Sequence, residues 1–334
     1  MGQEEAVQRF SLFYINQWKS SQHKCSNSIL GERMVNHMKT LLKTSGKWFK
    51  GNLHMHTLRS DGRIEPEEAI RLYREAGYDF IALTDHWVQS ETEQRDDFLL
   101  LSGCEWDTGD MVNTPVFHII GAGMERPVSL EVCHSHPVQK IIDAIRDANG
   151  IAILAHPAWS VTNPDDVLGL RGLSGVEIYN TVSGLPWNGQ RADSSLYFDL
   201  WATKGKLFRS MAADDSHFYD GEHTRSYILV NAEELTAASI KKAIADGNFY
   251  ASQGPRFESL ETDGKVIQVR SSKVESIVFY SNSVWCRDRV FTGGVDRATY
   301  HIEPTDRYVR VELIDFEGNR AWSSPFAVHS DAAQ

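Results

Sequence analysis

The stretch Gly51-Asn52-Leu53-His54-Met55-His56-Thr57, followed at once by Ser60-Asp61-Gly62, decides how this 334-residue chain is read. A short apolar run ends in two histidines spaced two apart. Along a strand, residues i and i+2 project from one face, so the imidazoles of His54 and His56 can reach a single ion. The pattern recurs downstream. Phe80-Ile81-Ala82-Leu83 runs into Thr84-Asp85-His86, the run at 98–103 leads to Glu105, and the run at 116–120 contains His118. The run at 151–155 ends in His156-Pro157, and 207–213 leads to Asp214, Asp215, Ser216 and His217. Metal-ligating side chains thus recur at or near the C-terminal ends of successive strand-like runs. In barrels and open α/β sheets that is the face where active sites assemble.

Working outward, the runs at 51–55, 80–83, 98–102, 116–120, 151–154, 176–179, 207–211 and 227–230 alternate with amphipathic helical patterns. This places residues 50–255 in the α/β class, with much parallel sheet. Pro66 opens one helix and Gly77 closes it; Pro137 with Gly150, and Thr236 with Gly247, bracket two more. Residues 1–49 read as an N-terminal helical extension carrying two patterns, Val7, Phe10, Tyr14 and Trp18, then Met34, Met38, Leu41 and Leu42. Both are expected to pack on the main domain or on a second copy in a homo-oligomer. Beyond Gly254-Pro255 the period changes to two. Val309, Val311 and Leu313 alternate with charged residues, 265–270 and 274–280 read as strands, and Asp263-Gly264 and Glu317-Gly318 mark turns. Residues 256–334 are therefore expected to form a small, sandwich-like antiparallel β domain.

Composition narrows the function. A formal charge of −11 argues against a nucleic-acid binder that neutralises phosphates along a strand. It leaves room for a small anionic substrate, because bound cations reverse the local potential. With 41% hydrophobic and 24% charged residues the chain is of ordinary globular make-up. It has no apolar window of about 18 residues for a membrane span and no secretory signal in its acidic start. Cys25, Cys104, Cys133 and Cys286 form no C-x-x-C pair and read as reduced thiols in a cytoplasm. Imidazoles with carboxylates suit zinc, manganese or iron. Six histidines and three carboxylates exceed one tetrahedral site, so a centre of two or three divalent ions is expected.

In order and spacing, the motifs Gly51-Asn52-Leu53-His54-Met55-His56-Thr57, Ser60-Asp61-Gly62, Leu83-Thr84-Asp85-His86, Gly103-Cys104-Glu105, Ala155-His156-Pro157 and Asp214-Asp215-Ser216-His217 resemble those of the PHP (polymerase and histidinol phosphatase) superfamily. The tail Gly247-Asn248-Phe249-Tyr250-Ala251-Ser252-Gln253-Gly254-Pro255, followed by a β domain, is similar to the branch that includes carbaryl hydrolase-type metalloenzymes. The resemblance implies a distorted seven-stranded (β/α)7 barrel with up to three metals at its C-terminal face. It implies that His54, His56, Glu105 and Asp215 hold the first ion, that Glu105 bridges to a second on His118 and His156, and that Asp61, His86 and His217 hold a third. Asp61 stands where some members have histidine. Asp214 competes with Asp215 as the ligand, and the Asp-x-His spacing to His217 favours Asp215. Asp85 is expected to accept an imidazole N–H, or else to cap a turn, and Glu177 has the same two readings. His134, His136 and His223 are expected at the surface.

Two ions about 3.5–4 Å apart would turn a bridging water into the nucleophile and polarise the scissile bond. His217 or an acidic neighbour, Glu105 or Asp215, would assist proton transfer. A small-molecule phosphoester is the leading substrate, with Arg59, Arg191, Arg209 or Arg225 as phosphate binders. The alternative is a carbamate, ester or amide of an aromatic molecule. Trp87, Trp106 and Trp159 follow proposed ligands closely and would wall such a site, or else pack in the rim. A non-catalytic PHP module is the third reading, and nine competent ligand types stand against it.

Overall fold

The structure is a computed structural model describing residues 38–42, 46–286 and 288–328. The expected helix over Val7, Phe10, Tyr14 and Trp18 lies outside these residues, as do Met34 and Cys25. The strands in chain order are β1 (Lys39–Leu42), β2 (Lys47–Asn52), β3 (Phe80–Ala82), β4 (Glu93–Arg95), β5 (Phe98–Leu101), β6 (Gly103–Thr108), β7 (Phe117–Ala122), β8 (Ile151–Leu154), β9 (Leu173–Asn180) and β10 (Ser210–Ala213). They continue with β11 (Tyr227–Ala232), β12 (Phe249–Ser252), β13 (Phe257–Thr262), β14 (Val266–Ser281), β15 (Val290–His301), β16 (Tyr308–Ile314), β17 (Arg320–Trp322) and β18 (Phe326–Ala327). The helices are α1 (Pro66–Glu75), α2 (Val138–Asp147), α3 (Pro164–Leu168), α4 (Ser195–Thr203) and α5 (Ala237–Asp246).

The helices obey their punctuation. Pro66 opens α1 with Glu67 and Glu68 in the first turn and Arg74 in the last, matching the helix dipole. Thr236 caps α5 by accepting from the Ser239 amide, and Gly247 ends it in the left-handed conformation at φ 77°. Along α2, Ile141, Ile142 and Ile145 are fully buried, each burial contributing about 1.5–3 kcal/mol. The sequence patterns did not signal α3 and α4.

The strands form two sheets rather than the expected closed seven-stranded barrel. One sheet has 13 strands, with the path β1-β13-β14-β16-β17-β12-β11-β2-β3-β5-β4 and with β15 on β14 and β18 on β16. The other has five, in the order β10-β9-β8-β7-β6. Parallel pairing is confined to β2/β3, β3/β5, β8/β9 and β9/β10. Strands β6 and β7 pair antiparallel through a short loop with no crossover helix, and β7 and β8 also pair antiparallel although α2 lies between them. The isolated bridges Met55↔Ser216 and His86↔Glu105 join the two sides of the seam, and a shared core packs Phe80 and Leu99 of one sheet with Ile120, Ile153 and Met211 of the other. Those bridges fall among the predicted ligands, so the seam between the sheets is where the site lies.

Two further expectations are corrected. Met38, Leu41 and Leu42 do not continue a helix, since Lys39–Leu42 is a strand whose partner is β13. The segments at 265–270 and 274–280, expected as two strands, are one strand, β14, with a register irregularity after Arg270. The β region beyond residue 255 is hydrogen-bonded into the larger sheet through Ala251↔Trp322 and Ser252↔Ala321. Its core of Ile267, Val269, Ile277, Phe279, Val309, Val311 and Leu313 is fully buried. Among the described residues no helix is long and apolar enough to cross a membrane, and Cys104, Cys133 and Cys286 are free.

Candidate metal centre

Strand β2 ends at Asn52, and the next residues enter the seam between the sheets. The main chain is pinned there on both sides: Asp215 N–H donates to the His54 carbonyl at 2.8 Å and His56 N–H to the Ser216 carbonyl at 2.9 Å. Both imidazoles are fully buried. Gly62 lets the following loop fold back on them, since a Cβ there would stand 2.4 Å from the His56 carbonyl. Strand β7 runs against its neighbours, which brings His118, near its start, to the same sheet edge as His156, just past the end of β8. Their proximity is fixed by Ala155 N–H donating to the His118 carbonyl at 3.0 Å.

Glu105 and Asp215 are the hubs. Oε2 of Glu105 lies 3.3 Å from His54 Nε2, 3.1 Å from His56 Nε2 and 3.4 Å from His86 Nδ1. Its Oε1 lies 3.0 Å from His118 Nδ1 and 3.5 Å from His156 Nε2. Asp215 Oδ1 lies 3.0 Å from His54 Nε2, 3.1 Å from His56 Nε2 and 3.5 Å from His217 Nδ1. Asp61 closes the open side, 3.4 Å from His217 Nε2 and 3.8 Å from His86 Nε2. All nine predicted positions therefore converge. Three groups have ligand atoms close enough to share an ion: His54, His56, Glu105 and Asp215; His56, Asp61, His86 and His217; and His86, Glu105 and His118. The first matches the expected set. In the third, His86 takes the place expected for His156, which stands with His118 beside Oε1 of Glu105 while His86 stands beside Oε2.

Several of these atoms lack any other use. His54 Nε2, His56 Nε2, His86 Nδ1 and Asp215 Oδ1 are buried without a hydrogen-bond partner. Leaving one buried polar atom unsatisfied costs about 1–3 kcal/mol, and here four face one point. A divalent cation would satisfy them together, so the donor set fits an ion of the kind that imidazole and carboxylate prefer. The electrostatics agree. Burial alone would weaken His54 as a base, but Asp215, Glu105 and Glu177 outweigh it and hold its pKa well above the usual range. The same contest, won by Asp215 and Glu105, lifts His56 to about 9. Burial works to raise Glu105 and Asp215, yet the facing imidazoles hold both well below ordinary carboxylates. Uptake of a divalent ion would displace the protons that these imidazoles hold and leave the ionised carboxylates as ligands.

Other predicted residues sort by what they touch. Glu177 accepts from His54 Nδ1–H at 2.8 Å, from the His156 amide at 2.9 Å and from Asn180 Nδ2 at 2.8 Å. It holds the His54 tautomer that presents Nε2 to the centre. Glu177→Ala is expected to weaken metal affinity about 10–100-fold, read by competition with a chromophoric chelator; unchanged affinity would refute this role. Asp85 touches no imidazole. It accepts from Thr57 N–H at 2.7 Å, Thr57 Oγ1 at 2.8 Å and Ser60 Oγ at 2.9 Å, so it caps the loop after His56. Asp214 turns away from the cluster to Asn52 Nδ2, Tyr73 Oη and the amides of Arg225 and Ser226, and burial raises it to about 6. Of the two, Asp215 is the one that faces the cluster.

Trp106 is core, packed within a buried cluster. Trp87 donates Nε1–H to Asp107 at 2.7 Å, and Trp159 packs on His118 and His156. Arg59 is exposed, and the Arg225 guanidinium donates to the Gly221 carbonyl. Arg209 reaches the end of α5 instead, donating to the Ile244 carbonyl. No described contact joins these three or Arg191 to the cluster.

Three residues escaped the sequence reading. Asn180 donates to both Glu177 and Asp215, and its position at the end of a predicted strand was the available signal. Glu222 is buried and accepts from the amides of His217, Phe218, Tyr219 and Asp220, which sets the His217 loop. Asp107 pairs with His134, and its other oxygen lies 3.8 Å from His86. Trp87, His156 and Asp215 hold non-glycine left-handed backbone at φ 57°, 25° and 55°. Strain of about 1–3 kcal/mol per residue is characteristic of functional sites.

Fold and cluster together define a candidate metal centre at the seam of an α/β sheet pair. Among solved structures, the chain is similar to a two-domain protein from Bacteroides vulgatus containing a predicted PHP-like metal-dependent phosphoesterase, at 16% identity and TM-score 0.48 over 88% of this chain and 100% of that one. It is also similar to the lesion-specific endonuclease EndoQ from Pyrococcus furiosus, at 14% identity and TM-score 0.41 over 60% of this chain and 56% of that one. An amidohydrolase from Chromobacterium violaceum shows 15% identity and TM-score 0.37 over 52% and 89% of the two chains. No protein-family model matches the chain, and no curated protein does. Likenesses this distant leave function to be argued from the cluster.

Proposed function

We propose that this protein is a metal-dependent hydrolase of the PHP type that cleaves a small-molecule phosphate ester with two or three divalent ions, zinc, manganese or iron. The observation that carries the reading is the convergence of the unpartnered His54 Nε2, His56 Nε2, His86 Nδ1 and Asp215 Oδ1 on Glu105. Ions bound there would acidify a water and neutralise charge developing on the ester oxygens. His54, His56, Glu105 and Asp215 hold one ion, and Glu105 with His118 and either His86 or His156 holds the next. Asp61, His86 and His217, with His56, are the donors for a third.

The surrounding residues preorganise these donors. Glu177 keeps His54 Nδ1 protonated, and Ser160 Oγ, 3.0 Å from His156 Nδ1, orients that ring. His217 Nδ1–H donates to the Asp215 carbonyl at 2.7 Å, which aims Nε2 at Asp61. That Nε2, on the half-open side of the cluster, is the atom placed to pass a proton to the leaving oxygen when the Asp61 group holds no ion. Burial of Glu105 and Asp215 keeps bulk water from competing for these contacts.

The test is hydrolysis of p-nitrophenyl phosphate, a bis-aryl phosphodiester and a naphthyl carbamate by metal-loaded protein, with and without chelator. Chelator-sensitive turnover of a phosphate ester is expected. Turnover of the carbamate alone would replace the phosphoester reading, and turnover indifferent to chelator would refute the metal-dependent one.

A further inference from the structure

We propose that Trp159, Trp187 and Phe218, with Arg63, form a subsite for a planar aromatic group on the ester substrate; this rests on the metal-dependent hydrolase reading. The Trp159 ring stands edge-on to His156 at 4.9 Å and to His118 at 5.9 Å. Its Nε1–H donates to Asn188 Oδ1 at 2.7 Å. The neighbour of Asn188 is Trp187, which meets Phe218 edge-on at 6.2 Å. Phe218 in turn lies 6.2 Å from the His217 ring. These contacts make one aromatic wall that runs from the His118 and His156 side of the cluster to the His217 side.

The wall is built, and its middle is bare. Trp187 sits in a single 3-10 turn, Pro186–Asn188, opened by proline and tied back by Asn188 Nδ2 donating to the Val182 carbonyl at 3.1 Å. Even so, the indole is 67% exposed. A tryptophan fixed in place with most of its surface in water is the usual form of a surface that a ligand covers. Trp106, by contrast, is 3% exposed and is spent on the core. The Arg63 guanidinium lies 4.6 Å over the Phe218 ring, which adds a cation to the wall. Ions in the cluster, with aromatic rings and the exposed Arg63 beside them, would select a molecule with an anionic ester head and a flat apolar body.

The test compares phenylphosphonate with methylphosphonate, which share the anionic head and have no leaving group. Binding to the metal-loaded full-length protein is followed by calorimetry and by tryptophan fluorescence. Phenylphosphonate is expected to bind about tenfold more tightly and to quench the exposed indole. Trp187→Ala should erase that preference with metal content unchanged, and Trp187→Phe should restore part of it. Equal affinities in the wild type, or a preference that survives Trp187→Ala, would overturn the subsite and leave the metal centre standing. If neither phosphonate binds metal-loaded protein, the phosphoester reading fails and the subsite fails with it.

Discussion

Glu105→Gln is expected to remove hydrolysis, with kcat/KM falling by on the order of a thousandfold or more. The side chain keeps its shape in this variant and loses only its charge. Five imidazole nitrogens lie within 3.5 Å of the two Glu105 oxygens, so no other residue serves as many ligands. The amide cannot bridge two cations, and its NH2 presents donors to nitrogens that must act as acceptors. Metal-based charge stabilisation supplies several kcal/mol, and about 4 kcal/mol corresponds to a thousandfold. Metal content should drop in parallel. A variant that keeps its ions and its turnover would remove Glu105 from the centre of the account.

The second large effect concerns stability. Arg310 on β16 is almost wholly buried. Its Nε and Nη2 donate to Asp199 of α4 at 2.9 and 2.7 Å, and its Nη1 donates to Glu312 at 3.2 Å. Its guanidinium also stacks over Tyr280. Arg310→Ala takes the cation from the largely buried Asp199 and leaves the buried Glu312 with Arg320 alone, a change that typically costs about 3–5 kcal/mol. For a chain of this size that is a fall in Tm of roughly 10 °C, measured by calorimetry. The network ties the C-terminal strands to the helix before β10, so one cooperative transition should shift as a whole. A shift below about 2 °C would show the network to be energetically idle.

Much of the candidate site was legible in the sequence because its chemistry restricts residue types. A cation needs imidazole or carboxylate, and a strand end is where such groups escape the core, so His54, His56, His86, Glu105, His156 and Asp215 announced themselves. His118 was legible too, although for a different reason, since it stands near the start of an antiparallel strand. What stayed open was whatever depends on where loops travel. Asp85 sits beside a ligand and looks like an imidazole partner; only the path of residues 57–60 over it shows that it caps a loop. Glu222 resembles any surface acid until four amides close on it. Trp106 and Trp159 each follow a ligand closely, yet one packs in the core and the other on the cluster. The alternation of strands and helices gave the α/β class correctly. It could not show that β6 to β8 pair antiparallel, and that pairing leaves two sheets meeting at a seam.

The proposed metal centre gathers nine side chains from β6, β7 and the segments that follow β2, β3, β8 and β10. Elemental analysis of protein loaded with zinc, manganese or iron and then dialysed tests it most directly. At least two tightly held ions per chain are expected, falling to below one in His54→Ala/His56→Ala. Less than one ion per chain in the wild type, or the same content in the double variant, would contradict it.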